Sequence, residues 1–237
     1  KDFENIIGFF PKNIREIDGL DLNLPSNLSE TLSLTSSNNP ELLIAKLNFE
    51  KSKYLLKGAA EKFAPKASVS FEVSENEDVS SAISERDQSQ FEAKVEFPLY
   101  SGGKNYSFYK EKKALFVSSE LDYQDKQNEI KKDATNVWSE YLLKKSELDL
   151  AKAQLQAAEI AYEGIIQEYE NGSRDTLDVL NSRSLLLVAR LNFTDIERDE
   201  IVSRFKLLKV TGNLTSLYLK LETKQINPKT NWIRHIF

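Results

Sequence analysis

The segment Y-E-N-G-S-R-D-T-L-D-V-L, residues 169–180, interrupts a chain of 237 residues between two long amphipathic helical patterns. Asn171 and Gly172 suit the left-handed conformation that commonly ends a helix. Ser173 or Asp175 can then cap a new helix, because their side-chain oxygens accept hydrogen bonds from its first N–H groups. A helix stop followed directly by a helix start predicts the tip of a helical hairpin.

The pattern before the tip is continuous over roughly 65 residues, which at about 1.5 Å per residue gives a helix on the order of 100 Å long. Apolar or aromatic residues recur there at alternating spacings of three and four from Tyr106 to Tyr169, with polar exceptions at Lys113, Glu120, Gln127 and Lys144. This spacing is typical of a coiled-coil seam. A helix of that length is not expected in a compact globule.

The helix after the tip, residues 176–212, carries two such seams. The first seam contains Leu177, Leu180, Ser184, Leu187, Leu191, Thr194, Arg198, Ile201, Phe205, Leu208 and Gly212. The second seam contains Val179, Ser182, Leu186, Ala189, Phe193, Ile196, Glu200, Ser203, Leu207 and Val210. The two seams are offset by about 200° at roughly 100° per residue, so this helix is expected to have a neighbour on each side, like a stave in a wall.

A helix buried in a bundle would also be apolar on several faces, and this alternative stays open. The wall is favoured by the polar residues that separate the two seams, because both faces of a wall meet water. These residues are Asp178, Arg183, Arg190, Asp195 and Arg204.

Earlier in the chain the period changes from helical spacing to two, which predicts strands with one apolar and one polar face. The first strand alternates through Val69, Phe71 and Val73, and the second through Phe91, Ala93, Val95 and Phe97. Residues 75–90 between them are polar and are expected to form a loop. Together these segments predict an antiparallel hairpin. Before it, residues 26–64 are helical in character and can restart at Asn38-Asn39-Pro40.

Composition excludes several classes of function. A net charge of −5 gives no basic face of the kind that binds nucleic-acid phosphates, and the chain contains no Cys for disulfides or thiolate chemistry. The sequence contains no run of about eighteen apolar residues, the length that predicts a transmembrane helix. Membrane contact would therefore have to come through strands. Neither a nucleophile with its base nor a phosphate loop is recognisable, and we expect no enzyme, no cofactor and no metal site. His235 is interpreted as a tail residue, and the acidic residues Glu75, Glu77 and Asp78 as solvated loop charge.

Four stretches in order resemble the TolC-like outer-membrane efflux proteins, in which each protomer is two tandem copies of helix, strand, strand, long helix and short helix. They are N-I-I-G-F-F-P-K-N-I at 5–14, N-P-E-L-L-I-A-K at 39–46, F-P-L-Y-S-G-G at 97–103, and the tip at 169–180 with L-L-L-V-A-R-L-N-F at 185–193. The resemblance covers the second of the two copies. The absence of Met and the start at Lys1 are expected for a processed product or a fragment.

The resemblance implies a mainly α fold in which long helices of an α-barrel join two strands of a transmembrane β-barrel. The implied segments are an inter-repeat linker at 1–25, a periplasmic helix at 26–64, a transmembrane hairpin at 65–100 with an external loop at 75–90, a long periplasmic helix at 104–169, a tip turn at 170–175, a returning helix at 176–212 and an equatorial tail at 213–237. The implied lipid-facing residues are Val69, Phe71, Val73, Ala93, Val95 and Phe97.

The resemblance also implies a function, a passive exit duct in the outer membrane of a Gram-negative bacterium with a long periplasmic extension. Such a duct is a homotrimer that meets a periplasmic adaptor and an inner-membrane transporter, in a tripartite efflux pump or in type I secretion of proteins. The alternatives are a structural coiled-coil scaffold and a periplasmic adaptor without a pore. One-sided strands favour the duct over both.

The tip residues have both a local and a family interpretation. Locally, Arg174 and Asp178 form an ordinary intrahelical pair, and Gly172 and Ser173 serve the turn. By resemblance, Arg174 and Tyr169 tie neighbouring helices shut, and Asp178 faces the lumen of a gate. Asn181 stands where part of the family has a second acidic residue. Gly172 and Ser173 would then form the docking tip for the adaptor.

Overall fold

The computed structural model describes residues 4–5, 8–10, 22–80 and 83–221. Its elements in chain order are helix α1 (Leu28–Asn38), helix α2 (Pro40–Ala60), a 3₁₀ turn (Glu61–Phe63), strands β1 (Lys66–Ser80) and β2 (Ile83–Glu96), and helices α3 (Lys104–Glu170) and α4 (Thr176–Val210). The expected class, long helices with a two-stranded antiparallel sheet, is confirmed. Most of the segment at 1–25, and the tail after residue 221 with His235, lie outside the described residues.

The described helices include none that combines the length and the apolar character needed to cross a membrane.

The segment predicted to be helical at 26–64, with a restart at Asn38-Asn39-Pro40, consists of two helices and a 3₁₀ turn. Helix α1 begins at Asn27, whose side-chain oxygen accepts a hydrogen bond of 2.8 Å from the backbone N–H of Glu30. Asn39 then adopts φ −63° and ψ 121°, which ends α1 one residue before Pro40. A proline disfavours the helical conformation in the residue before it, and this explains the restart at Pro40.

The hairpin is longer than the sequence indicated. Strand pairing continues through Glu75↔Asp87 and Asn76↔Arg86 to Ser80↔Ile83, so the predicted external loop at 75–90 is wrong. The apolar alternation stops at Val73, but ladder hydrogen bonds join backbone groups and do not require apolar side chains. At the other end β2 stops at Glu96, and Phe97 therefore lies just beyond the strand.

The chain divides into two compact units, one formed by Pro40–Ile130 and the other by Lys1–Asn39 with Lys131–Phe237. In the unit of residues 40–130, α2 packs on the first part of α3 through aromatic side chains. The ring of Phe49 lies 5.4 Å from that of Phe116 and 5.9 Å from that of Tyr123, centroid to centroid. Lys126 on α3 also bridges to Glu41 on α2, at 2.9 Å.

In the other unit, α4 runs antiparallel to the second part of α3. Polar contacts join the two helices at intervals along their length. They are Lys206 to Glu140 at 2.7 Å, Lys144 to Asp199 at 3.6 Å, Asn192 to Gln154 at 3.5 Å and Arg190 to Glu159 at 3.1 Å.

The two seams of α4 differ in how far their residues are buried. The second seam is buried or half-buried at every position from Val179 to Val210. The first seam is exposed from Leu177 to Arg198 and becomes covered only near the end of the helix. Within this chain α4 is therefore not the helix of a bundle that is buried on all sides. The seam of α3 is buried or half-buried throughout, except at Tyr106, Lys113, Gln127 and Tyr169.

The end of α4 is held closely against the end of α1. The side-chain amide of Asn39 donates a hydrogen bond of 2.9 Å to the carbonyl of Val210. Gly212 follows with φ +73°, and a Cβ placed on it would lie 2.2 Å from the carbonyl oxygen of Asn38. Leu207, Leu208, Thr211, Thr31 and Thr35 are fully or almost fully buried in the same unit. Only glycine fits both the backbone conformation and the space at position 212.

We predict that Gly212→Ala destabilises the protein by about 2 kcal/mol or more, since the new methyl group meets a positive φ and a backbone oxygen. Chemical denaturation monitored by circular dichroism measures the change. Gly164→Ala is the matched control, because Gly164 lies inside α3 with open space around its Cα, and alanine there should be neutral or stabilising by up to about 1 kcal/mol. Equal stability of the Gly212→Ala variant and the control would contradict the close approach.

Candidate functional site

The hairpin tip ends α3 with a pair of backbone hydrogen bonds around a left-handed glycine. Gly172 has φ +77°, its N–H donates to the carbonyl of Tyr169 at 2.9 Å, and the N–H of Ser173 donates to the carbonyl of Glu168 at 2.8 Å. These are the two bonds of a Schellman motif. The side-chain amide of Asn171 adds a bond of 2.9 Å to the carbonyl of Gln167. The predicted stop at Asn171 and Gly172 is confirmed.

Asp175, one of the two caps expected from the sequence, starts α4. Its backbone is extended, and its carboxylate accepts a hydrogen bond of 2.9 Å from the backbone N–H of Asp178. Ser173 instead takes part in ending α3. Five residues, 171–175, are therefore enough to reverse the chain, and Gly172 and Ser173 lie exposed at the turn.

Arg174 is held by two carboxylates of its own hairpin. Its Nε lies 2.7 Å from Oε2 of Glu168 at the end of α3, and its Nη1 lies 3.7 Å from Oδ2 of Asp178 in the first turn of α4. The hydrogen bond and charge of Glu168, followed by the charge of Asp178, raise the pKa of the Arg174 guanidinium above its ordinary value. The expected pair of Arg174 with Asp178 is present, but Glu168 is the closer partner.

The other candidate gate residues lie nearby on exposed surface. Asn181 is exposed one turn after the half-buried Asp178, on the same side of α4. Tyr169 lies at the end of α3 and is 43% exposed. The structure thus gathers all four candidates, Tyr169, Arg174, Asp178 and Asn181, within the tip and the turns next to it.

A groove of about 930 Å³ lies between α3 and α4 near this tip. Its walls combine apolar side chains of both seams with charged side chains. From α3 come Glu159, Tyr162 and Glu163, and from α4 come Leu180, Arg183, Ser184, Leu186, Leu187 and Arg190. The exposed first seam is thus continuous with an open groove.

The strand pair has the one-sided character that its alternation predicted. Residues directly opposite in an antiparallel pair share a face, and the register pairs Val69 with Ala93, Phe71 with Phe91, and Ala67 with Val95. The other face carries Ser68 opposite Lys94, Ser70 opposite Glu92, and Glu72 opposite Gln90. The apolar side chains named on the first face are exposed, and so is Val73.

The family model for outer membrane efflux proteins matches residues 31–213, which include both strands, the tip and nearly all of the described helices. The chain belongs to this family. Membership in the outer membrane efflux family confirms the resemblance noted from the sequence and assigns the chain to the outer membrane.

The chain is also similar to a curated relative and to two solved structures. The chain is 21% identical over 231 residues to outer membrane efflux protein BepC of Brucella suis, a match that covers 97% of this chain and 50% of BepC. It superposes on the CmeC outer membrane channel of Campylobacter jejuni with a TM-score of 0.70 and 18% identity, covering 85% of this chain and 44% of CmeC. The open state of the MtrE channel of Neisseria gonorrhoeae gives a TM-score of 0.70 and 16% identity, covering 94% of this chain and 51% of MtrE.

At these identities the two structures show the fold alone. The chain spans about half the length of these relatives.

Sequence reasoning missed three features of this efflux-family chain. Glu168 was not recognised as a partner of Arg174. The two residues are six positions apart in the sequence, and the Schellman turn between them brings their side chains together. Phe91 pairs with Phe71 and shares its apolar face, but it was not among the residues expected to face lipid. The groove between α3 and α4 has no signal in the sequence, because it depends on how two seams are spaced in three dimensions.

Proposed function

We propose that this chain forms one sector of the wall of a passive outer-membrane efflux duct. The observation that carries the proposal is the first seam of α4, which leaves Leu177, Leu180, Leu187 and Leu191 more than half exposed while the opposite seam is covered. An apolar stripe at regular helical spacing needs a partner in water. In an α-barrel, whose wall consists of helices packed side by side, that partner is the helix of a neighbouring subunit. The assembly closes by cyclic symmetry.

The strand pair supports the outer-membrane end of the same duct. A barrel in lipid requires strands whose outer face is apolar and whose backbone groups are all paired with neighbouring strands. The face formed by Val69, Phe71, Val73, Ala93 and Val95 meets the first requirement, with Phe97 at its edge. A coiled-coil scaffold or a periplasmic adaptor gives no reason for such a face.

The proposed duct is a homotrimer that works with a periplasmic adaptor and an energised inner-membrane transporter, in efflux of small molecules or in type I secretion of proteins. Family membership supports this assembly. The duct itself would supply a path, and the transporter would supply the energy.

We predict that Leu187→Glu combined with Leu191→Glu prevents trimer formation, because six carboxylates would enter the contacts between subunits. Size-exclusion chromatography with light scattering on the detergent-solubilised protein measures the oligomer. Lys209→Glu is the control, since Lys209 is exposed on the same helix outside both seams. A stable trimer of the double variant would mean that the first seam is not the contact between subunits.

The tip is proposed as the periplasmic gate of this duct. In a trimer, three copies of Asp178 would form a ring of carboxylates at the narrow end, which favours cations over anions. Asn181, one turn away, adds no charge to this ring. Arg174 and Tyr169 would hold neighbouring hairpins together when the gate is closed.

We expect Asp178→Ala to lower the cation preference of single channels by about twofold or more, because it removes the charge ring without altering the Asp175 cap. Conductance and reversal potentials of the protein reconstituted in planar bilayers give the preference. The matched control is Glu197→Gln, which removes one carboxylate from an exposed part of α4 outside both seams. Unchanged conductance and selectivity in the Asp178→Ala variant would rule out a ring at the constriction.

Gly172 and Ser173 are proposed as the docking point for the adaptor, because they are the exposed apex of the hairpin. We predict that a photo-reactive amino acid at position 173 cross-links to the adaptor in cells that express the whole pump. The same group at Lys152, exposed on α3 18 residues before its end at Glu170, serves as the control. Capture of the adaptor from position 152 but not from position 173 would exclude docking at the apex.

A further inference from the structure

A cavity lies at the base of the hairpin, on the polar side of the sheet. It has a volume of about 570 Å³ and is lined by Lys62, Lys66, Glu96, Phe97, Pro98, Lys104 and Asn105. Lys66 and Glu96 stand opposite each other in the strand register and share their face with Lys94. Val69 and Val95 are on the other face. The two strand residues of the lining therefore point away from the apolar face of the hairpin.

Contacts within one compact unit hold the elements around the cavity in place. The side-chain amide of Asn105 donates a hydrogen bond of 3.2 Å to the carbonyl of Lys62, which ties the start of α3 to the 3₁₀ turn. The ammonium of Lys62 lies 3.6 Å from the centre of the Phe108 ring, a cation–π contact that restrains this lysine. The 3₁₀ turn, β1 and α3 each bring one lysine to the cavity, namely Lys62, Lys66 and Lys104.

The positive charge of this lining is not balanced by the protein. The described lining has three lysines and one carboxylate, Glu96, which already forms a salt bridge with Lys94. Among the described residues, none of the three lysines takes part in a salt bridge. The first turn of α3 contains no acidic residue, so the positive end of the helix dipole adds to the same potential. The lining therefore complements an anion of one or two charges.

Two apolar residues give the cavity a second chemical character. Phe97 and Pro98 form part of its wall. An inorganic oxyanion would leave this part of the wall in water, whereas an apolar body attached to the acidic group would cover it. A volume of about 570 Å³ is in the range of pockets that take small organic ligands. A lipid is disfavoured, because Lys66 and Glu96 face away from the apolar surface along which acyl chains would lie.

We propose that this cavity binds a small organic anion, with its phosphate or carboxylate group on the lysines and its apolar body against Phe97 and Pro98. The location of the site rests on the proposed function in one respect. If the apolar face of the hairpin meets lipid, its polar face meets the water inside the barrel. The cavity then lies where acidic organic solutes in the duct reach it.

Isothermal titration calorimetry on the full chain in a non-ionic detergent tests the proposal, with phenyl phosphate as the probe. Phenol, which lacks the charge, and inorganic phosphate, which lacks the apolar body, are titrated in parallel. Phenyl phosphate should bind about fivefold or more tightly than either, since each of the other two loses one of the two contacts. Equal binding of phenol would overturn the anion site, and equal binding of inorganic phosphate would overturn the role of the apolar wall.

The triple variant Lys62→Gln/Lys66→Gln/Lys104→Gln tests the lysines. It should bind phenyl phosphate about tenfold or more weakly, because each exposed pair of charges changes affinity by up to roughly fivefold. If the triple variant fails to fold, Lys104→Gln alone should weaken binding about threefold. Unchanged binding by the variant that folds would contradict the proposal.

The control for the lysines is Lys131→Gln/Lys145→Gln/Lys152→Gln, which removes the same charge from exposed positions elsewhere on α3. It should bind phenyl phosphate like the wild type. Equal loss of affinity in both triple variants would mean a general effect of net charge and would overturn the site.

Glu96→Gln should change the affinity in the opposite direction. It removes the carboxylate of the lining and releases Lys94, so phenyl phosphate should bind about twofold to fivefold more tightly. Glu197→Gln, at an exposed position of α4, is the matched control and should leave binding unchanged. Weaker or unchanged binding by the Glu96→Gln variant would contradict the proposed charge balance of the cavity.

Bilayer conductance of the same samples separates this inference from the proposed function. Wild-type channels that conduct while the protein fails to bind phenyl phosphate would overturn the anion site alone. Failure of the wild-type protein to insert and conduct, with binding of phenyl phosphate retained, would overturn the duct and leave the cavity as an anion site.

Discussion

The architecture depends on one constraint, that α4 is apolar on two flanks and can cover only one of them within its own hairpin. Its second seam is closed by the rest of its unit, with polar contacts to α3 such as Arg190 to Glu159 and Lys206 to Glu140 at the margins. The first seam stays open over the half nearest the tip. Exposed Leu side chains in a regular stripe carry a free-energy cost in water of about 25 cal/mol per Å² of apolar surface. Burial of this stripe in the subunit contact proposed above would therefore favour assembly.

The ends of the hairpin are fixed by local chemistry that needs no partner. At the tip, the Schellman bonds around Gly172 and the Asp175 cap satisfy backbone groups that the ends of α3 and α4 would otherwise leave unpaired. At the other end of α4, Gly212 lets the chain pass against the carbonyl of Asn38. The turn of the hairpin is thus formed by contacts within the chain, and the docking proposed for the tip would not have to order it.

Sequence predicted most reliably the features that depend on neighbouring residues. The stop at Gly172, the start at Asp175, the restart at Pro40 and the one-sided strands all follow from backbone preferences or short periods. The loop predicted at 75–90 failed because polar side chains on both faces carry no strand signal, while the backbone ladder continues regardless.

Contacts that join distant segments had no local signal. Lys144 was a polar exception in the seam of α3, and in the structure it is half-buried because it reaches both Glu147 and Asp199. Glu200 is almost fully buried in the second seam of α4 and is satisfied by Arg204 at 2.7 Å. Periodicity placed both residues on the correct stripe but could not name their partners.

The salt bridge between Arg174 and Glu168 changes how a gate at this tip would work. If Arg174 holds a neighbouring hairpin in the closed state, it must leave or share the carboxylates of its own hairpin to do so. Closing and opening then exchange one exposed ion pair for another, and each such pair is worth only about 0–1 kcal/mol. The free-energy difference between the two states is correspondingly small. A gate of this kind is held shut by the sum of several weak contacts around a symmetric ring, so an adaptor that engages the tips can open it by displacing those contacts together.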